Sequence, residues 1–126
     1  MPTQENKALI RLYFATLNGK AKPAALVAEF TADEELKQHI AFFEAAFPRY
    51  ELIADDMISE GEQVVVRARF RGVHGGEMMG IPPTGKQAEV PFIIIYRIAG
   101  DKIVEHWMSV NQLDLLQQLG VAPTMA

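Results

Sequence analysis

The feature that most constrains this chain is a change of hydrophobic period at Pro48. Before it, apolar residues recur at helical spacing; after it, they alternate as in strands. Ile10, Tyr13, Phe14 and Leu17 fall at i, i+3, i+4 and i+7, one stripe of a first helix, with Gly19 as its stop. Pro23 opens a short second helix carrying Leu26, Val27 and Phe30. In "TADE", Thr31 and Glu34 have the spacing of a capping box ahead of a third helix. Leu36, Ile40, Phe43 and Phe47 line the buried face of that helix, which Pro48 ends.

Beyond Pro48, "YELIADDMIS" and "QVVVRARFRGVH" flank the turn "EGE", and "EVPFIIIYRI" and "KIVEHWMSV" flank "AGD". Each pair predicts an antiparallel hairpin. The loop between them, "GGEMMGIPPTGK", is too rich in Gly and Pro for regular structure. A last short helix follows in "QLDLLQQLG". Helices first and a strand meander after them predict an α+β fold: a curved antiparallel sheet with helices on one face. No internal repeat or linker interrupts it, so residues 1–126 are expected to form one domain.

Both faces of the strand from Val90 to Ile98 are apolar, Val90, Phe92, Ile94 and Tyr96 on one and Ile93 and Ile95 on the other. Helices cover one face. A partner subunit is the expected cover for the other, with Ile93, Ile95 and Val104 as contacts; a long loop is the alternative.

Composition excludes several functions. A formal net charge of −4 is unsuited to nucleic acid, whose phosphates call for a basic face. With no cysteine there is no disulfide, thiolate metal site or thiol nucleophile, which suits the cytoplasm. The N-terminal "MPTQENKALI" lacks a signal pattern, and "VPFIIIY" is too short to span a membrane. "GIPPTGKQ" imitates a phosphate-binding loop, but Gln87 replaces the needed Ser or Thr and two prolines remove amide donors. A stiff loop over a pocket rim is the better reading.

Three histidines are the candidates for chemistry. His39 shares the apolar stripe of the third helix and becomes an acid or base if that helix lines a cavity. His74 opens the Gly-rich loop, suited to a pocket mouth or to solvent. His106 faces away from Glu105 and Trp107, and no two histidines have metal-ligand spacing. Arg67, Arg69 and Arg71 share one strand face, which reads as solvated or as an interface. The last strand puts Glu105, Trp107, Ser109 and Asn111 on one face, towards water or towards a ligand cavity.

The segments "FEAAFPRYEL", "VVVRARFRGVHGGEMMGIPPTGK", "YRIAGDKIVEHW" and "LDLLQQLG" resemble the SnoaL-like polyketide cyclases, or predicted ester cyclases, of the NTF2-like superfamily. The resemblance runs from about Glu34 to Gly120. It implies a cone-shaped NTF2-like (cystatin-like) α+β barrel whose sheet wraps a long helix around a deep pocket. It also implies a homodimer through the sheet, an inward-facing Trp107 and Glu105, and cofactor-free intramolecular aldol closure of a small apolar carbonyl compound. The family's base is an Asp four residues after the Trp; this chain has Asn111 there. An amide caps a helix well but is no general base. His39 or His74 would then move the proton, with Asn111, Trp107, Glu105 and Phe43 around the substrate and no metal or cofactor. A non-catalytic domain that binds a small apolar ligand or dimerises is the alternative.

Overall fold

The structure, a computed structural model, describes residues 2–121. Helices α1 (Pro2–Leu17), α2 (Ala24–Phe30) and α3 (Glu34–Ala46) precede strands β1 (Glu51–Glu60), β2 (Gln63–Val73), β3 (Gln87–Ala99) and β4 (Lys102–Val110), and α4 (Gln112–Gln118) follows. The strands form one antiparallel sheet in the order β1-β2-β3-β4. The period change at Pro48 is thus the boundary between helical and sheet halves.

The helical stripe folds as its spacing predicts: Ile10, Tyr13, Phe14 and Leu17 are all buried. They meet the concave face of the sheet, where Val64, Val66, Ala68, Val90, Ile94 and Tyr96 are buried in turn. Asn18, just past α1, pairs its side-chain amide with both backbone groups of Leu52 on edge strand β1, at 2.7 and 2.8 Å. At the other edge, the Ala32 N–H donates to the Ile103 carbonyl of β4 at 2.9 Å. Both edges therefore have backbone groups occupied by the helical half, which blunts further strand addition there.

The cap of α3 differs from the expected box. Asp33, not Thr31, is the N-cap, its Oδ1 accepting from the Leu36 N–H at 3.2 Å. The Thr31 hydroxyl is engaged elsewhere: it donates to the Ile103 carbonyl and accepts from the Asp33 N–H. Its oxygen is turned to the Asp33 N–H, ahead of the helix, so the first-turn amides of α3 are left to Asp33.

The outer face of the sheet carries the arginines. Arg67 bonds Asp56, Arg69 bonds Asp55 and Glu89, Arg71 bonds Glu51, and Arg97 bonds Glu105. Between these pairs the register sets Ile58 opposite Val65, Val65 opposite Ile95, and Ile95 opposite Trp107. One apolar stripe so crosses all four strands, with Ile58 67% and Trp107 45% exposed. Val104 instead falls at the register shift between β3 and β4 and is half-buried. No described helix is long and apolar enough to cross a membrane.

Candidate active site

A cleft lies between α3 and the concave face of the sheet, closed at one end by α4. The third helix contributes Leu36, His39, Ile40 and Phe43, spaced so that one helical face looks into it. The sheet contributes alternate residues, among them Phe70, Phe92, Ile94, Tyr96, Met108 and Val110, and α4 adds Gln112 and Leu115. The free volume is about 60 Å³. No Asp, Glu, Lys or Arg is in the lining among the described residues.

His39 is therefore the side chain in this lining that can take a proton near neutral pH. Its ring lies 4.7 Å from that of Phe43 and 6.4 Å from that of His106. Burial lowers its pKa, His106 lowers it further, and Glu35 partly opposes both. The imidazole is thus held as the neutral form, with a basic nitrogen. Tyr13, Tyr50 and Tyr96 also line the cleft, and burial raises all three phenols, so they remain hydrogen-bond donors.

Behind His39 stands a polar pair that sequence reasoning missed. His106 Nδ1 is 2.7 Å from Asp33 Oδ2, with 9% and 12% of the two side chains exposed. Burial alone would raise the Asp33 carboxyl, but bonds from His106 and the Leu36 N–H hold it below its ordinary value. Asp33 and His106 are 73 residues apart in sequence, so no local spacing announces them.

The other expected site residues lie elsewhere. Asn111 is exposed and outside the lining; its side-chain oxygen accepts from the Asp114 N–H at 3.1 Å and caps α4. Its neighbour Gln112 reaches the cleft instead. Trp107 and Glu105 do not face inward: strand alternation turns them to the outer face, opposite Ile95 and Arg97, while His106 and Met108 take the concave side. His74 is at neither a pocket mouth nor the surface. It is fully buried against Phe47, rings 5.3 Å apart, and its Nδ1 accepts from the Thr84 N–H at 3.2 Å. That bond places its proton on Nε2, which has no partner among the described residues. His74 thus staples the ends of the Gly-rich loop, where its backbone also bonds Lys86 and Gly85. Asp55 and Asp56 are on the outer face too, paired with Arg69 and Arg67.

The comparisons with known proteins agree with this architecture. A family profile described as SnoaL-like polyketide cyclase matches residues 19–119. The chain belongs to the SnoaL-like polyketide cyclase family. Among solved structures, AclR, a candidate hydroxylase from Streptomyces galilaeus, is 25% identical with a TM-score of 0.82, over 98% of this chain and 86% of that one. A candidate SnoaL-like polyketide cyclase from Jannaschia is 22% identical with a TM-score of 0.79, over 96% and 95% of the two chains. IdmH from Streptomyces antibioticus, a candidate polyketide cyclase, is 26% identical with a TM-score of 0.72, over 92% and 99%. No curated protein matches. The fold is the NTF2-like α+β architecture of these SnoaL-like neighbours.

Proposed function

We propose that this SnoaL-like protein is a cofactor-free cyclase or isomerase that draws a proton from the carbon beside a carbonyl in a small apolar compound. The observation that carries this reading is His39: a neutral imidazole in a largely apolar lining that, among the described residues, has no carboxylate. Asn111, where the resemblance puts the family's Asp, caps a helix outside the cleft. His39 is then the base, the apolar walls exclude water, and Phe43 and Gln112 orient the substrate. Chemistry of this kind is an enolisation followed by attack on a second carbonyl.

Enolisation can be followed by itself. In heavy water, the native protein should exchange deuterium into the carbon next to the carbonyl of a cyclic ketone. His39→Gln should slow exchange at least ~100-fold, the usual scale of a general base, whereas Asn111→Ala should not. Exchange that survives His39→Gln would refute the assignment.

A non-catalytic ligand-binding domain is the second reading. The same reading includes a domain that merely dimerises, and the free volume of about 60 Å³ favours that form of it, being far below the several hundred Å³ of common small-molecule sites. Ketone binding without deuterium exchange would select the ligand-binding form.

The assembly we propose is a homodimer through the outer face. The stripe Ile58–Val65–Ile95–Trp107, bordered by Ile93, supports this: it is apolar, continuous and flanked by ion pairs that give a polar rim. Trp107→Glu should shift light scattering from dimer to monomer; a monomeric native protein at micromolar concentration would overturn it. A chain without cysteine fits residence in the cytoplasm.

A further inference from the structure

Among the described residues, the Tyr96 hydroxyl is the sealed polar side-chain atom of the cleft lining that has no hydrogen-bond partner. Tyr96 is 0% exposed, on the concave face of β3. Its ring meets those of Tyr13 and Phe14 edge-on, at 5.9 and 6.3 Å between centroids. The Tyr13 hydroxyl is its nearest polar neighbour and acts on it as a hydrogen-bonding group, but the pair falls outside full donor–acceptor geometry, so the bond is at best a loose one that a better acceptor can replace. Tyr50 is close enough to act on it electrostatically as well. An all-apolar wall would be served by Phe at this position, because a buried hydroxyl without a partner forfeits its hydration for nothing. A hydroxyl kept there points to an acceptor that arrives with the ligand.

We infer that Tyr96 is a recognition donor, and that the cleft takes a compact apolar molecule whose carbonyl oxygen bonds the Tyr96 hydroxyl. This rests on reading the cleft as a ligand site. His39 is on α3 and Tyr96 on β3, so a ligand in the cleft has the base on one wall and the donor on the other. When the imidazole nitrogen of His39 removes the proton beside the carbonyl, the C–H pair moves into a C=C bond and the carbonyl pair moves to oxygen. The Tyr96 O–H then faces a developing enolate rather than a neutral oxygen, and its hydrogen bond strengthens as charge forms. Met108, unbranched and half-buried in the lining, is the side chain best able to turn aside for a ring larger than the resting space.

The test compares two near-isosteric probes, cyclohexanone and methylenecyclohexane, on the native chain and on Tyr96→Phe, by protein-observed NMR titration. The ketone should bind native protein about tenfold more tightly than the variant, the value of one hydrogen bond to a buried donor. The hydrocarbon should bind both alike. Tyr96→Phe should also melt no lower than native. Equal ketone affinity for both proteins would overturn the inference. So would a lower melting temperature in the variant, since the hydroxyl would then already be satisfied in the free protein by Tyr13 or a resident water. If neither probe binds, the cleft is not a ligand site and both readings fall; ring binding without preference for oxygen removes this inference alone.

Discussion

His106 and Asp33 join the last strand to the start of the third helix through a 2.7 Å bond between Nδ1 and Oδ2. The same carboxylate caps α3 through its other oxygen. One side chain therefore anchors the helix that carries His39 and orients the imidazole beside it. Asn also caps helices well, so Asp33→Asn removes the charge and keeps the cap. We expect this variant to be about 1.5–3 kcal/mol less stable at neutral pH, the range for a hydrogen bond to a charged group. Because the folded carboxyl lies below its ordinary 3.8, its contribution is complete above that value and disappears as pH falls through the lower folded one. Urea unfolding of the two proteins should converge at the acid end.

His39 gives a pH dependence at higher pH. Its folded pKa is below the ordinary 6.5, so the unfolded chain binds a proton that the folded chain refuses. Stability through this group is therefore complete above 6.5 and declines as pH drops below it. The native protein should lose more stability than His39→Gln between about pH 7.5 and about pH 5 in denaturant titrations. Equal losses would mean that the imidazole is not desolvated.

Asn111 should behave as a cap and nothing more. Asn111→Asp keeps an acceptor at the helix start and adds a favourable charge against its dipole, so its melting temperature should match the native one. Asn111→Ala should cost ~1 kcal/mol. Cyclohexanone affinity should be the same in all three proteins, because the side chain lies outside the cleft.

A fourth prediction concerns Lys22, whose side chain is only 2% exposed and pairs with Glu44 at 2.8 Å. Lys22 Nζ also bonds the Tyr50 carbonyl and sits 4.0 Å over the Tyr50 ring. Glu44 further accepts from the Arg49 N–H, holding that residue at a φ of 63°. Glu44→Ala leaves a buried ammonium without its counter-ion, and about 3–5 kcal/mol of stability should be lost. Lys22→Met, which removes the charge and keeps the stem, should cost less; calorimetry on both variants decides.

The period change at Pro48 made the fold legible, since helical stripes and alternating strands each repeat a local pattern. His39 and Phe43 could be placed towards the sheet for the same reason: they share a face with Leu36 and Ile40. What could not be read depends on distant partners. Trp107 alternates with His106, which fixes that they face apart but not which one faces in; the stripe through Ile95, Val65 and Ile58 exists only once cross-strand register is known. The capping box read at Thr31 gives way to Asp33 because the Thr31 hydroxyl is drawn towards β4, where it bonds the Ile103 carbonyl 72 residues away. His74 was unreadable because its partner Thr84 is across an irregular loop.

The wall made by α4 has a kinetic meaning. Seven residues are too few for a helix that stands by itself in water. It holds because Asn111 closes one end and Leu115 and Leu119 are buried beneath it. Leu115 and Gln112 are also cleft lining, so unwinding these two turns, with loss of the Gln118 bonds to Glu89 of β3, would uncover the interior. Entry to a space so small at rest would then be timed by a local helix–coil equilibrium. Asn111, the cap of that helix, would thus set how often the door opens.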